Sequence, residues 1–114
     1  MPDRPNPLKL NPLQAKALTI LQELARQPGF ANPPDADGSV QIKVLPEPHG
    51  DHFHVGRAVV RSRDATGLFN PAVYGALERK GLAQLGPRGL PVLTPAGLAY
   101  ATGLEEEMLH RPDH

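Results

Sequence analysis

A chain of 114 residues is one domain by size, and it can bury a modest core unaided. Its 12 Lys and Arg offset 12 Asp and Glu, so it lacks the strong positive charge that marks many nucleic-acid binders, and the absence of cysteine removes disulfides and thiolate metal sites. The opening MPDRPNPLKLNP has no apolar core of a secretory signal, and no apolar run approaches the ~20 residues of a membrane span, so a cytoplasmic protein is expected.

Residues 1–10 read as an extended, Pro-rich lead-in to a single domain over 11–109. Asn11 as cap, Pro12 at the first helical position and Gln14 as capping-box partner open the first helix. Leu13, Ala17, Ile20, Leu21 and Leu24 give it a core-facing stripe, and Pro28-Gly29 stop it. Residues 28–38 are a loop. Alternation of Val40, Ile42 and Val44 with Gln41 and Lys43 predicts a half-buried strand over 39–45. A second strand over 52–62 completes a central β-hairpin (39–62), with its turn in 46–51. A helix over 55–63 competes with that second strand.

Asn70-Pro71 starts a second helix, with Val73 and Leu77 inward and Gly81 as its stop after Arg79 and Lys80. A short hairpin over 82–93 follows, turning through Gly86–Gly89, and Pro91 assigns its second strand to a sheet edge. Thr94-Pro95 opens a last helix with Leu98, Ala101 and Leu104 near one face. Residues 110–114 read as a frayed tail. The fold class is α+β: three helices, a central hairpin and a short second hairpin.

Charge is unevenly spread. From Arg57 to Arg88 six basic residues (Arg57, Arg61, Arg63, Arg79, Lys80, Arg88) face two acidic ones, Asp64 and Glu78. A neutral total therefore conceals a basic segment.

ALERKGL (76–82) and VLTPAGLAYA (92–101), with a Gly-containing hairpin between them, resemble the second half of a winged-helix domain of the MarR or PadR type. The resemblance spans residues 70–101. It implies a recognition helix over 71–80 that enters a major groove and presents Ala72, Tyr74, Gly75, Glu78 and Arg79 to bases. It also implies a wing whose tip, Arg88, approaches a phosphate or the minor groove. Arg57, Arg61 and Arg63 share one parity, so a regular strand lines them along one face as further phosphate contacts. With Tyr74, Arg79, Lys80 and Arg88 they form the candidate nucleic-acid-binding set. Duplex DNA is the leading partner, with mostly phosphate contacts and salt-sensitive binding. Dimerisation through the first or last helix would strengthen it. A protein-interaction or structural domain is the alternative, favoured by the neutral net charge and the small residues Ala72, Gly75 and Ala76.

PHGDHFHVG (48–56) carries His49, His52 and His54 beside Asp51. His52 and His54 share one face of a strand, a spacing at which two imidazoles can hold one metal. Phe53 and Val55 read as the inward pair, which leaves the histidines as polar surface, and no metal or cofactor is assigned. A cupin-type site is rejected because the chain is too short for that barrel and no downstream Glu follows. No GxSxG, HExxH or Gly-rich phosphate loop occurs. Asp64 reads as an ion partner for Arg61 or Arg63. A non-enzymatic binding module is the expectation.

Overall fold

The structure is a computed structural model that describes residues 6–110. Helix α1 (Pro12–Ala25) begins as its cap residues dictate. The Asn11 side chain accepts the Gln14 N–H at 2.7 Å, and the Gln14 side chain accepts the Asn11 N–H at 3.1 Å. A helix lying on a surface exposes one face. Here every residue from Ala17 to Leu24 is buried, so the rest of the fold wraps around α1. Leu18, Ile20, Leu21 and Leu24 are fully buried, each worth roughly 1.5–3 kcal/mol in transfer from water.

The remaining described elements are strands β1 (Val40–Gln41), β2 (Pro48–His49), β3 (His52–Val55) and β4 (Ala58–Arg61), helix α2 (Pro71–Arg79), strands β5 (Ala83–Leu85) and β6 (Pro91–Leu93), and helices α3 (Pro95–Ala99) and α4 (Glu105–Met108). Two 3-10 turns, Ser62–Asp64 and Thr66–Phe69, lead from β4 into α2. The strands make two antiparallel three-stranded sheets, ordered β1-β6-β5 and β2-β3-β4. Both sheets contact α1. The molecule is a small α+β domain.

Three strand expectations are corrected. The hairpin over 39–62 does not form: β1 pairs with β6, with Val40 opposite Leu93 and Gln41 opposite Val92. The strand expected over 39–45 is shorter, Val40–Gln41, with Val44 exposed, and alternation alone does not identify the strand it pairs with. The segment 52–62 is not one strand either, since Gly56, at φ 61°, turns the chain between Val55 and Ala58 and makes a second hairpin. The competing helix over 55–63 is present only as the single 3-10 turn at Ser62–Asp64. Finally, Pro91 lies in the central strand of its sheet, not at an edge. It is the first residue of β6, where its missing N–H removes no bond, and its carbonyl accepts the Ile42 N–H at 3.1 Å.

The expected last helix is broken in two. The α1 residue Gln22 donates through Nε2 to the carbonyls of Gly97 (2.9 Å) and Tyr100 (2.7 Å). Thr19 and Thr102 bond through their hydroxyls at 2.6 Å. These side chains satisfy groups that a continuing helix would pair internally. Tyr100 turns extended, Gly103 takes φ 72°, and α4 restarts at Glu105, leaving Ala101 exposed rather than in the core. The tail expected to fray from His110 is paired as far as that residue, which exchanges two backbone bonds with Val59. Residues 111–114 lie outside the described region, as do residues 1–5 of the lead-in.

The Gly81-to-Gly97 segment has a close-packed joint. Gly81 leaves α2 at φ 78°, and Thr94 Oγ1 donates to its carbonyl at 2.7 Å while accepting the Gly97 N–H at 3.0 Å. A Cβ on Gly97 would stand 1.9 Å from the Leu82 carbonyl oxygen. Gly97→Ala is therefore expected to cost about 3 kcal/mol or more. Gln22→Ala strands two acceptors and is expected to cost about 1–3 kcal/mol. Urea denaturation of both variants checks these values.

Candidate nucleic-acid interface

The seven candidate residues come from different elements and do not form a single row. Arg57 follows Gly56 in the β3–β4 turn, Arg61 ends β4 and Arg63 lies in the 3-10 turn. A shared strand face for these three is thus corrected, because β4 covers only residues 58–61. Arg61 and Arg63 still meet: both line an open cleft of about 510 Å³ with Asp51, His52, Val59 and Ser62. Ser62 Oγ is buried there without a hydrogen-bond partner among the described residues.

Asp64, expected to neutralise these arginines, instead accepts a hydrogen bond from Lys16 Nζ at 3.0 Å. Helix α1 supplies that lysine, a pairing across 48 positions that no local pattern announces. Arg57, Arg61, Arg63, Arg79 and Arg88 make no side-chain hydrogen bond or ion pair among the described residues.

Two candidates are already engaged. The Tyr74 ring is half-buried in α2, and its hydroxyl donates to the Leu68 carbonyl. Lys80 caps α2 and donates through Nζ to the Leu8 carbonyl at 2.8 Å. Of the α2 positions expected to face bases, Ala72, Glu78 and Arg79 are exposed, whereas Tyr74 and Gly75 are half-buried.

Arg88 sits at the tip of the β5–β6 hairpin in the left-handed region, at φ 62° and ψ 19°. A non-glycine residue pays about 1–2 kcal/mol for that conformation. It lines a cleft of about 430 Å³ with Gln41, Ile42, Lys43, Val44, Pro87 and Leu90. Lys43 carries no sequence signal of this site: pairing of β1 with β6 places it in the same cleft as Arg88, a neighbour that a 39–62 hairpin does not provide.

The three histidines gather on the outer face of the other sheet. Ring centroids lie 4.9 Å apart for His52 and His54, 5.1 Å for His49 and His54, and 6.3 Å for His49 and His52. Asp51 Oδ1 stands 3.3 Å from His52 Nδ1. No set of three or more His, Cys, Asp or Glu among the described residues is placed to hold a metal ion.

Burial pushes the Tyr74 phenol up to about 12. The protonated phenol is thus favoured in the folded chain, and the stability this contributes is complete below about pH 10 and lost as the pH rises towards 12. Ultraviolet titration is expected to show Tyr74 ionising near that upper value, and Tyr74→Phe removes the step.

No helix among the described residues is long and apolar enough to cross a membrane. Comparison with known proteins yields no match: no protein-family model, no curated protein and no solved structure aligns with this chain.

Proposed function

We propose that this chain is a non-enzymatic, winged-helix-like binding module that takes duplex DNA by its phosphate backbone. The observation that carries the reading is the unpaired Arg88 at the hairpin tip, held in a costly backbone conformation with Lys43 beside it. The order of elements agrees with it: α2, then hairpin β5–β6, then a helix capped by Thr94. Arg79 is exposed at the end of α2, and Arg61 with Arg63 form a second basic patch. The exposed face of α2 offers few base-reading groups, and Tyr74 spends its hydroxyl on Leu68. Binding of this kind is salt-sensitive and reads little sequence.

Fluorescence anisotropy with labelled duplexes of unrelated sequence tests the reading. Arg88→Ala and Lys43→Ala are each expected to weaken all duplexes alike and to lower the slope of log affinity against log salt by about 1. Tyr74→Phe leaves binding unchanged. Arg88→Gly separates binding from folding: it relieves the left-handed cost and stabilises the fold by up to about 1 kcal/mol, yet weakens DNA binding. Wild-type affinity in the Arg88→Ala, Lys43→Ala double variant would refute the interface.

A protein-interaction module is the second reading. It rests on Leu85, 68% exposed on β5, beside a groove lined by Pro71, Tyr74 and Pro91. Loss of a protein partner, with DNA binding intact, in Leu85→Ser would favour it.

A further inference from the structure

We propose that His49, His52 and His54 form a binding site for one divalent transition-metal ion of the kind that favours imidazole, with zinc as the working case. The site is independent of the DNA reading.

The register builds it. His49 and His52 face each other across the β2–β3 pair, joined by the two-residue turn Gly50-Asp51. Residues opposite each other in a sheet project to the same face, and His54, two positions after His52, projects there too. Phe53 and Val55 are buried on the other face, so the backbone fixes the three imidazoles outward.

The spacing is that of ligands. Three imidazoles around one tetrahedral zinc at Zn–N of about 2.0–2.1 Å have ring centroids roughly 5 Å apart. Two of the three separations, 4.9 and 5.1 Å, meet this, and the third, 6.3 Å, must shorten by about 1 Å. The side chains as they stand do not hold a metal ion among the described residues, so the site requires them to rearrange. A ring centroid lies near the axis of the Cβ–Cγ bond. Turning the His49 and His54 rings about that bond therefore swings their nitrogens at constant centroid spacing, and a χ1 adjustment at His49 brings its ring the remaining ~1 Å closer to His52, whose ring Asp51 holds.

Asp51 supplies an independent sign. Histidines that bind metals commonly give their other ring N–H to a carboxylate, which fixes the tautomer and aims the free nitrogen at the ion. Asp51 Oδ1 is placed to do this at His52 Nδ1, leaving His52 Nε2 for the metal. Three imidazoles leave a fourth position for water. One charge opposes the site: Arg61 is the cross-strand partner of His52 on β4 and projects to the same face.

Calorimetric titration of the full chain with zinc chloride tests the proposal. One ion per chain is expected, together with a rise in the thermal midpoint at excess zinc. His49→Gln, His52→Gln and His54→Gln are each expected to weaken binding at least tenfold, and Asp51→Asn by about tenfold. Arg61→Gln tightens it. Replacing His110 and His114 together leaves the affinity unchanged. The three positions lie on the outer face of the sheet, so the metal-free variants are expected to keep the wild-type midpoint. Failure to take up zinc at millimolar concentration, or uptake that survives all three His→Gln changes, overturns the site.

Discussion

Helix α1 is buried along the whole stretch from Ala17 to Leu24, and the remaining architecture follows from that burial. A helix surrounded on all sides cannot be apolar on one stripe alone. Thr19, Gln22 and Glu23 must find partners inside the fold. Thr19 meets Thr102, and Gln22 holds the carbonyls of Gly97 and Tyr100. The chain after α3 is irregular because α1 provides the hydrogen bonds that a longer helix would have made itself. Irregular backbone is tolerated in a packed interior only when its polar groups are met in this way. The same helix sends Lys16 to Asp64, and that bond takes Asp64 away from Arg61 and Arg63.

Local grammar was legible in the sequence. Asn11, Asn70 and Thr94 each cap the helix they were expected to cap, Pro follows each, and the hairpin over 82–93 forms as β5 and β6. Leu77, Leu82 and Val73 are buried as their spacing implied. What escaped the sequence was pairing at a distance. Alternation holds for Val40 and Ile42, which are buried, but fails at Val44, which is exposed; the strand is only Val40–Gln41, and the pattern could not say that its partner is β6. The Gly56-Arg57 turn has a local signal, a glycine between apolar runs, but a single glycine inside a β-rich run is equally compatible with one long strand. The break after α3 has almost none, since it depends on Gln22 lying 75 positions away from Gly97.

The candidate site divides along the same line. Arg88 was legible because a tight turn between short strands must expose its tip. Lys43 was not, because only the β1–β6 register brings it there. Tyr74 looked like a base reader by helical position alone, yet its hydroxyl is committed to Leu68. The histidines show the reverse case: parity placed His52 and His54 together, and the turn at Gly50-Asp51 added His49 across the strand pair. In each instance sequence spacing assigns a face, and strand pairing decides which other residues share it.

The proposed DNA contact rests on Arg88 at the β5–β6 hairpin tip with Lys43 beside it, and on Arg79 exposed at the end of α2. Amide-shift mapping by NMR, with a mixed-sequence duplex at low and then physiological salt, tests it most directly. Shifts concentrated at Lys43, Arg79 and Arg88 that fade as salt rises, with Tyr74 little affected, are expected. An unchanged spectrum at low salt would contradict it. So would shifts centred on Leu85 and the face of α2 that persist undiminished at high salt.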